Sequence, residues 1–338
     1  MADSDVLFSL KNKRVWVAGH RGMVGRAILR RLEGDDCELL TVDRQALDLT
    51  RQQDVEQWIR QVRPQAVFVC AAKVGGILAN DKQPASFLYE NLAIATNVIH
   101  AAAVSDDVEK LLFLGSSCIY PKFAPQPIEE SSLLTGPLES TNEWYAVAKI
   151  AGLKLCQAYR RQHRRDFISA MPTNLYGPGD NFDLDSSHVI PALIRKARDA
   201  KFQHRSEMVI WGTGSPRREF LHVDDCADAL VRLMTHYSDE PHVNVGSGND
   251  VSILELAELI ARVVGFSGAI VTDPSKPDGT PRKLLDSRKL ASLGWRPRIE
   301  LAEGLASTYA WFEHALANQT RDLRVGSSPA AFVEREVG

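Results

Sequence analysis

The sequence predicts an α/β fold, in which a doubly wound parallel sheet is joined to a smaller α/β domain. In the first half of the chain, short apolar runs alternate with longer amphipathic segments, the pattern of successive strand–helix units in a parallel sheet. This alternation breaks down after Tyr176. We therefore expect a first domain at residues 1–175, with returning segments near 220–250, a second domain at 176–316 and a flexible tail at 317–338.

Composition and charge argue against several classes of protein. Of the 338 residues, 44% are hydrophobic and 25% are charged, and the net charge of -3 gives no overall basic field for nucleic acid. The five cysteines are widely spaced and contain no C-x-x-C pair, which argues against a disulfide framework or a zinc site. No apolar run is long enough to span a bilayer. We expect a cytoplasmic protein without a metal, nucleic-acid or membrane partner.

Apolar runs in the first half predict the strands of the first sheet. Each is short and apolar enough to be buried on both faces, as a central parallel strand requires. The predicted strands are residues 14–19, 38–43, 66–72, 110–115 and 167–171. The main predicted helices are residues 84–104, 144–161, 253–264 and 301–316.

A glycine-rich turn joins the first predicted strand to the first helix, with the spacing G-x-x-G-x-x-G. Glycines at these positions permit a tight turn and a close approach of the backbone to a pyrophosphate at the helix N-terminus. The placement predicts a dinucleotide site in a Rossmann-type sheet. Its predicted cofactor-binding residues are Gly19, His20, Arg21, Gly22, Met23, Val24 and Gly25.

The end of the second strand leaves the choice of dinucleotide open. Asp43 is an acid where a carboxylate would hold a ribose 2′-hydroxyl, which favours NAD. Arg44 and Arg21 lie beside it in the predicted fold and favour the 2′-phosphate of NADP.

A tyrosine and a lysine lie four residues apart in a predicted helix. Tyr145 and Lys149 therefore point from the same helix face, about one turn apart. A nearby ammonium is expected to lower the pKa of the phenol, so that it can exchange a proton with a carbonyl oxygen. The same spacing also occurs by chance on helix surfaces. Ser116 and Cys118 directly follow the fourth strand, at the edge of the sheet where ligands bind.

These features together resemble the extended short-chain dehydrogenase/reductase family, whose members act on nucleotide-sugars. The resemblance covers residues 13–312 and rests on the glycine turn, Ser116, the Tyr145 and Lys149 pair, and the segment that follows the fifth strand. It implies NADP as cofactor and a homodimer. The further cofactor-binding residues that it implies are Arg44, Lys149, Pro172, Thr173, Asn174, Leu175 and His188.

The finer motifs of the resemblance imply a two-step reaction on GDP-4-keto-6-deoxy-D-mannose. The first step is a 3,5-epimerisation, with Cys118 as base and His188 as acid, because C3 and C5 flank the C4 ketone and carry acidified protons. The second step is reduction of the ketone by NADPH to give GDP-L-fucose. Tyr145 would be the acid, assisted by Lys149 and Ser116. The implied substrate-binding residues are Lys196, Trp211, Arg218 and Asp278.

Two other functions remain open at this point. The first is another nucleotide-sugar 4-epimerase or 4-reductase of the same superfamily, in which Cys118 would be an inert buried residue. The second is a non-catalytic dinucleotide-binding sensor. A sensor predicts the loss of Tyr145 or Lys149, and both are present.

Overall fold

The computed structural model describes residues 6–184, 186–276 and 278–325. The strands in these residues are β1 Arg14–Ala18, β2 Glu38–Leu40, β3 Ala66–Val69, β4 Lys110–Leu114, β5 Asp166–Pro172, β6 Asn174–Tyr176, β7 Glu207–Trp211, β8 Arg217–His222, β9 Val243–Val245, β10 Asp250–Ser252, β11 Ala269–Asp273 and β12 Arg282–Lys283. The helices are α1 Met23–Leu32, α2 Gln52–Val62, α3 Ile77–Lys82, α4 Pro84–Val104, α5 Glu143–His163, α6 Val189–Phe202, α7 Val223–His236, α8 Ile253–Val264, α9 Arg288–Ser292 and α10 Leu301–Val325.

The first sheet is parallel and has the strand order β2-β1-β3-β4-β5-β9. Its central strands are buried on both faces. Along β1, Val15 and Val17 belong to one hydrophobic core and Trp16 and Ala18 to another, because successive side chains of a strand point to opposite faces. The predicted doubly wound, Rossmann-type sheet is confirmed.

Helices cover both faces of this sheet. One core contains apolar side chains of α1 and α7, and the other contains those of α2, α4 and α5. The parallel strands require crossover helices, so the apolar faces of these helices pack on the sheet. This arrangement brings the carboxyl ends of β1, β3, β4 and β5 to one edge of the sheet.

A second group of elements packs beside that edge. It contains the sheet β10-β8-β12, in which β6 also pairs with β8, and the parallel pair β7 and β11. Helices α6, α8 and α10 share one hydrophobic core with these strands, formed around residues such as Ile194, Ile210, Leu256 and Leu305. The N-terminus of α8 has a complete capping box, because Ser252 and Glu255 bond each other's backbone N–H groups.

Several predicted boundaries differ from the structure. The third strand was expected to run to residue 72, but β3 ends at Val69. The second strand was expected to run to residue 43, but β2 ends at Leu40, since it is an edge strand that pairs only with β1. The last helix was expected to end at residue 316, but α10 continues to Val325. The remainder of the predicted tail, residues 326–338, lies outside the described residues. Within the described ranges, no helix is long and apolar enough to cross a membrane.

The packing of α5 on β4 depends on Gly152. A Cβ atom at this position would lie 2.4 Å from the ring of Phe113, which is buried in the core of the sheet. We expect Gly152→Ala to lower the free energy of unfolding by about 1–3 kcal/mol, since overpacking outweighs the better helix propensity of alanine. Urea unfolding followed by circular dichroism measures this decrease in the free energy of unfolding. Gly136→Ala is the matched control, because its Cβ would lie 3.4 Å from Pro121. Equal unfolding midpoints for both variants would contradict the close packing.

Candidate active site

The glycine turn brings the start of α1 close to the carboxyl ends of β1 and β3. Gly19 has a φ of +91°, and a Cβ there would lie 2.6 Å from the backbone nitrogen of Ala71. A Cβ on Gly25 would lie 2.2 Å from the Gly19 carbonyl oxygen, so only glycine allows α1 to pack on the turn. Gly22 is the N-cap of α1, and its N–H donates to the Gly19 oxygen at 3.0 Å. The compact turn and the free helix N-terminus fit a pyrophosphate.

The acid that follows the second strand is paired with an arginine of this turn. Both carboxylate oxygens of Asp43 accept hydrogen bonds of 2.6 Å from the Arg21 guanidinium, and His20 Nε2 lies 3.2 Å from the carboxylate. Arg44 extends toward Glu90, at 3.6 Å. The carboxylate of Asp43 is therefore compensated by positive charge and is not a free acceptor for a ribose hydroxyl.

The residues that follow β4 place a hydroxyl and a thiol side by side. Ser116 is the N-cap of a short 3-10 helix at Ser117–Ile119, and its hydroxyl oxygen accepts from the Cys118 N–H at 3.2 Å. This bond fixes the spacing between the two predicted catalytic side chains. Both residues are half-buried, so each retains access from the cleft.

Tyr145 and Lys149 lie on one face of α5, as the spacing predicts. The Lys149 ammonium is 5.7 Å from the centre of the Tyr145 ring and 5.0 Å from that of Phe113. It donates a hydrogen bond of 2.7 Å to the carbonyl oxygen of Leu114, the last residue of β4. Lys149 is thereby held against the end of the strand that leads to Ser116.

The expected lowering of the phenol pKa is wrong for the chain by itself. Burial raises the pKa of Tyr145, and the negative charge of Cys118 raises it further. Burial also lowers the pKa of Lys149 to about 8, against the opposing influence of Cys70 and Cys118. Desolvation disfavours both charged forms, and the Lys149 ammonium donates one of its hydrogen bonds to the Leu114 carbonyl oxygen. The phenol therefore keeps its proton at neutral pH.

The sulfur of Cys118 has two nitrogen donors around it. Asn142 Nδ2 lies 3.3 Å from Sγ, and the Lys283 ammonium lies 3.8 Å from it. The charge of Cys118 is also among the causes of the pKa shifts of Tyr145 and Lys149, so the three side chains lie near one another.

His188 lies at the start of α6, where it is the N-cap residue. The residue keeps contact with solvent, yet protein atoms crowd around the ring and lower its pKa by desolvation. The loop before it is held by Gly76, whose N–H donates to the Ser186 carbonyl oxygen at 2.9 Å. A Cβ on Gly76 would lie 2.6 Å from the Ser187 carbonyl oxygen, so the glycine permits this close approach.

The segment after β5 binds the second group of elements. Thr173 Oγ1 and Asn174 Nδ2 donate to the carbonyl oxygen of Glu219, at 3.2 and 2.8 Å. The carboxylate of Glu219 is fully buried and accepts from the N–H groups of Gly248 and Leu285, at 2.7 and 3.0 Å. Burial raises the pKa of Glu219. The side chains of Thr173 and Asn174 thus position β8, while Pro172 and Leu175 pack in the interior.

The predicted substrate-binding residues lie together on the second group of elements. The Lys196 ammonium is 5.3 Å from the centre of the Trp211 ring, and the indole is 46% exposed. An Arg218 nitrogen lies 3.5 Å from the backbone oxygen of Asp278. The carboxylate of Asp278 accepts from the backbone N–H and the hydroxyl of Thr213, at 2.7 and 2.9 Å, so it holds the turn after Trp211.

Strand alternation decides which of two adjacent arginines faces the cleft. Arg217 on β8 and Arg282 on β12 both pair with Asp250. Their neighbours Arg218 and Lys283 are opposite each other in the register and point to the other face. Burial lowers the pKa of Arg218. The sequence left open which of Arg217 and Arg218 faces inward; in the structure Arg218 lies on the face opposite Asp250, together with Lys283.

Comparison with known proteins assigns the chain to a family. The model for the NAD dependent epimerase/dehydratase family matches residues 15–246. A GDP-L-fucose synthase of Sinorhizobium fredii is 61% identical over 312 residues, which are 92% of this chain and 99% of that protein. The chain belongs to the NAD dependent epimerase/dehydratase family, in its GDP-L-fucose synthase branch.

Solved structures of this family have the same fold. A GDP-6-OMe-4-keto-L-xylo-heptose reductase from C. jejuni matches with a TM-score of 0.83 and 35% identity, over 90% of this chain and 98% of that one. A GDP-L-fucose synthetase from Naegleria fowleri bound to NADP matches with a TM-score of 0.83 and 26% identity, over 94% and 98%.

Two site residues of this family member were missed by sequence reasoning. Asn142 precedes Tyr145 and Lys149 by three and seven residues, the spacing of one helix face, and this signal was available in the sequence. Lys283 lies far along the chain, and only the pairing of β12 with β8 brings it to the sulfur of Cys118.

The lowered pKa of Lys149 predicts a pH-dependent stability. Between about pH 8 and the ordinary lysine pKa near ~10.4, the unfolded chain binds more protons at this position, so stability rises with pH. Relative to Lys149→Met, wild type should gain about 1–3 kcal/mol of unfolding free energy between pH 7 and 10. Urea unfolding at both pH values measures the gain. Lys154→Met, an exposed change on the same helix, should show no such trend. An identical trend in both variants would refute a special role of burial at Lys149.

Proposed function

We propose that this chain converts GDP-4-keto-6-deoxy-D-mannose to GDP-L-fucose, using NADPH. The observation that carries the proposal is the position of Cys118. Its N–H donates to the Ser116 hydroxyl, and its charge is among the causes of the pKa shifts of Tyr145 and Lys149. A simple 4-reductase needs no base in this place. The 61% identity to a GDP-L-fucose synthase supports the same conclusion.

The residues around the glycine turn fit NADP. The pyrophosphate would bind at the N-terminus of α1, with Lys149 at the nicotinamide ribose. Arg21 and Arg44 would bind the 2′-phosphate, and the compensated charge of Asp43 removes an obstacle to this anion. NADP in the Naegleria fowleri relative supports this choice over NAD. When bound, NADPH supplies the hydride for C4.

In the epimerisation, the thiolate of Cys118 takes a proton from C3 or C5. The electrons of the broken C–H bond move to the C4 oxygen, which becomes an enolate held by hydrogen bonds from Tyr145 and Ser116. His188 returns a proton to the opposite face of the carbon, and the stereocentre is inverted. Protein atoms around the ring lower the pKa of His188, which makes its imidazolium form a stronger acid for this step.

In the reduction, Tyr145 donates its proton to the C4 oxygen. Its raised pKa keeps the phenol protonated at neutral pH, so the acid is present when the ketone is reduced. Ser116 shares the same oxygen. The two steps therefore use one hydrogen-bonding pair, with Cys118 and His188 added for the epimerisation.

The second group of elements, called the second lobe to distinguish it from the lobe of the first sheet, would bind the nucleotide. Lys196 and Arg218 are the cations for the diphosphate, and Trp211 offers an exposed indole for packing. Asp278 would act mainly through the turn that it holds. We propose that residues 1–175, with returning segments near 220–250, bind the dinucleotide and that 176–316 bind mainly the sugar nucleotide.

We also propose a homodimer in the cytoplasm. The helices α4 and α5 lie side by side on one face of the sheet and carry exposed apolar side chains, among them Tyr89, Trp144 and Val147. Such a face fits an isologous helix bundle. The five cysteines are free, which fits a reducing compartment.

Exchange of solvent deuterium tests the role of Cys118. With GDP-4-keto-6-deoxy-D-mannose in D₂O and no NADPH, wild type should place label at C3 and C5, as followed by NMR. Cys118→Ser should abolish this exchange, because a hydroxyl is too weak a base. Cys37 is half-buried and directly precedes β2. Cys37→Ser is the control and should exchange normally. Undiminished label in Cys118→Ser would remove Cys118 from the mechanism, whereas the absence of label with wild type would favour the 4-reductase alternative.

Consumption of NADPH tests the role of Tyr145. Tyr145→Phe should lower the rate of absorbance loss at the nicotinamide band by about 100-fold or more, because the acid is lost. Tyr89→Phe, on the exposed face of α4, should behave as wild type. Near-normal turnover of Tyr145→Phe would overturn the reductase assignment. Cofactor binding without turnover in wild type would favour the sensor.

A further inference from the structure

Two donors from different parts of the fold converge on the sulfur of Cys118. The Asn142 amide comes from the start of α5, and the Lys283 ammonium comes from β12 in the second lobe. A thiol offers one proton and needs no pair of donors, whereas a thiolate is an acceptor for both. The environment of the sulfur is therefore complementary to the thiolate.

The orientation of Asn142 supports this interpretation. Asparagine at an N-cap ordinarily accepts a hydrogen bond from the helix backbone through Oδ1. Asn142 is the N-cap of α5 but makes no such bond, and within the described residues its buried Oδ1 has no partner. The side chain does not make the capping hydrogen bond, which costs helix stability, and its Nδ2 instead lies 3.3 Å from the sulfur.

The orientation of Lys283 follows from its strand. Lys283 is opposite Arg218 in the pairing of β12 with β8, and both point to the cleft, while Arg217 and Arg282 bind Asp250 on the other face. The ammonium reaches across from the second lobe to a cysteine on the sheet of the first lobe. An opposite charge at 3.8 Å stabilises an anion in a partly desolvated site.

We propose that Asn142 and Lys283 are positioning residues that hold Cys118 as the thiolate before the substrate arrives. The inference rests on the proposed role of Cys118 as the epimerisation base and assigns the groups that prepare it. Lys283 reaches the sulfur from the lobe that would bind the nucleotide. Reduction at C4 needs neither residue for its proton.

Other charged groups face the same sulfur. Tyr145 and Lys149 approach it from α5, and burial raises the pKa of the phenol and lowers that of the ammonium. On the other side of the cleft, Glu139 is paired with Lys122 at 3.0 Å. This acid is compensated by its own lysine, and Arg282, which also borders the cleft, is paired with Asp250. The Lys283 ammonium lies 3.8 Å from the sulfur and donates to it.

Alkylation by iodoacetamide tests the proposal without substrate or cofactor, because the reagent reacts with the thiolate. Burial raises the pKa of the four other thiols, to about 12 for Cys70 and Cys156, and their reaction near neutral pH is suppressed. The rate is measured from pH 5 to 10 by mass spectrometry of the peptide that contains Cys118. Cys118→Ser gives the background.

Lys283→Met should slow alkylation at pH 7 by about ten-fold, because it removes the cation that faces the sulfur. Asn142→Ala should have a smaller effect in the same direction, since it removes a neutral donor, and the missing cap bond leaves little helix stability to lose. Lys283→Arg should restore the wild-type profile. Arg282→Met is the matched control, because it removes a charge from the adjacent residue, which borders the same cleft but whose guanidinium is bound to Asp250.

Unchanged profiles in Lys283→Met and Asn142→Ala, with folded proteins by circular dichroism, would overturn the inference. An equal effect of Arg282→Met would also overturn it, because a general field rather than a directed contact would then be responsible. The deuterium exchange of Cys118→Ser is read separately. Normal exchange in that variant removes Cys118 as the base but leaves the alkylation result standing, so the two failures are distinguishable.

Discussion

The hydrogen bond from the buried Lys149 ammonium to the Leu114 carbonyl oxygen is the constraint on which the site depends. It joins α5 to the last residue of β4, and Gly152 allows the helix to lie directly on Phe113. Because Ser116 and Cys118 follow Leu114 at once, the strand end and the helix face are fixed relative to each other. Two of the proposed catalytic side chains come from the strand end and two from the helix.

Burial in this place has opposite consequences for the two partners of the pair. It lowers the pKa of Lys149 to about 8 and keeps the proton on Tyr145, since desolvation disfavours both charged forms. For a reaction in which the phenol must donate a proton, this is a suitable ground state.

The two lobes are connected by buried polar groups rather than by apolar packing alone. Glu219 on β8 accepts from two backbone N–H groups through its carboxylate and from Thr173 and Asn174 through its carbonyl oxygen. A buried acid with these partners tolerates little displacement, because each lost bond leaves a buried polar group unsatisfied. The position of β8, and with it of Arg218 and Lys283, is set accordingly.

The sequence by itself determined the local features: the strand–helix alternation, the glycine turn, the Tyr145 and Lys149 face and the residues that follow each strand. These depend on periodicity and on backbone sterics, which act over a few neighbouring residues. Only the tertiary structure decided the pKa directions of Tyr145 and Lys149, the pairing of Asp43 with Arg21, and the approach of Lys283 to Cys118. Desolvation and charge contacts depend on residues far apart in the chain, and no local pattern records which of them meet.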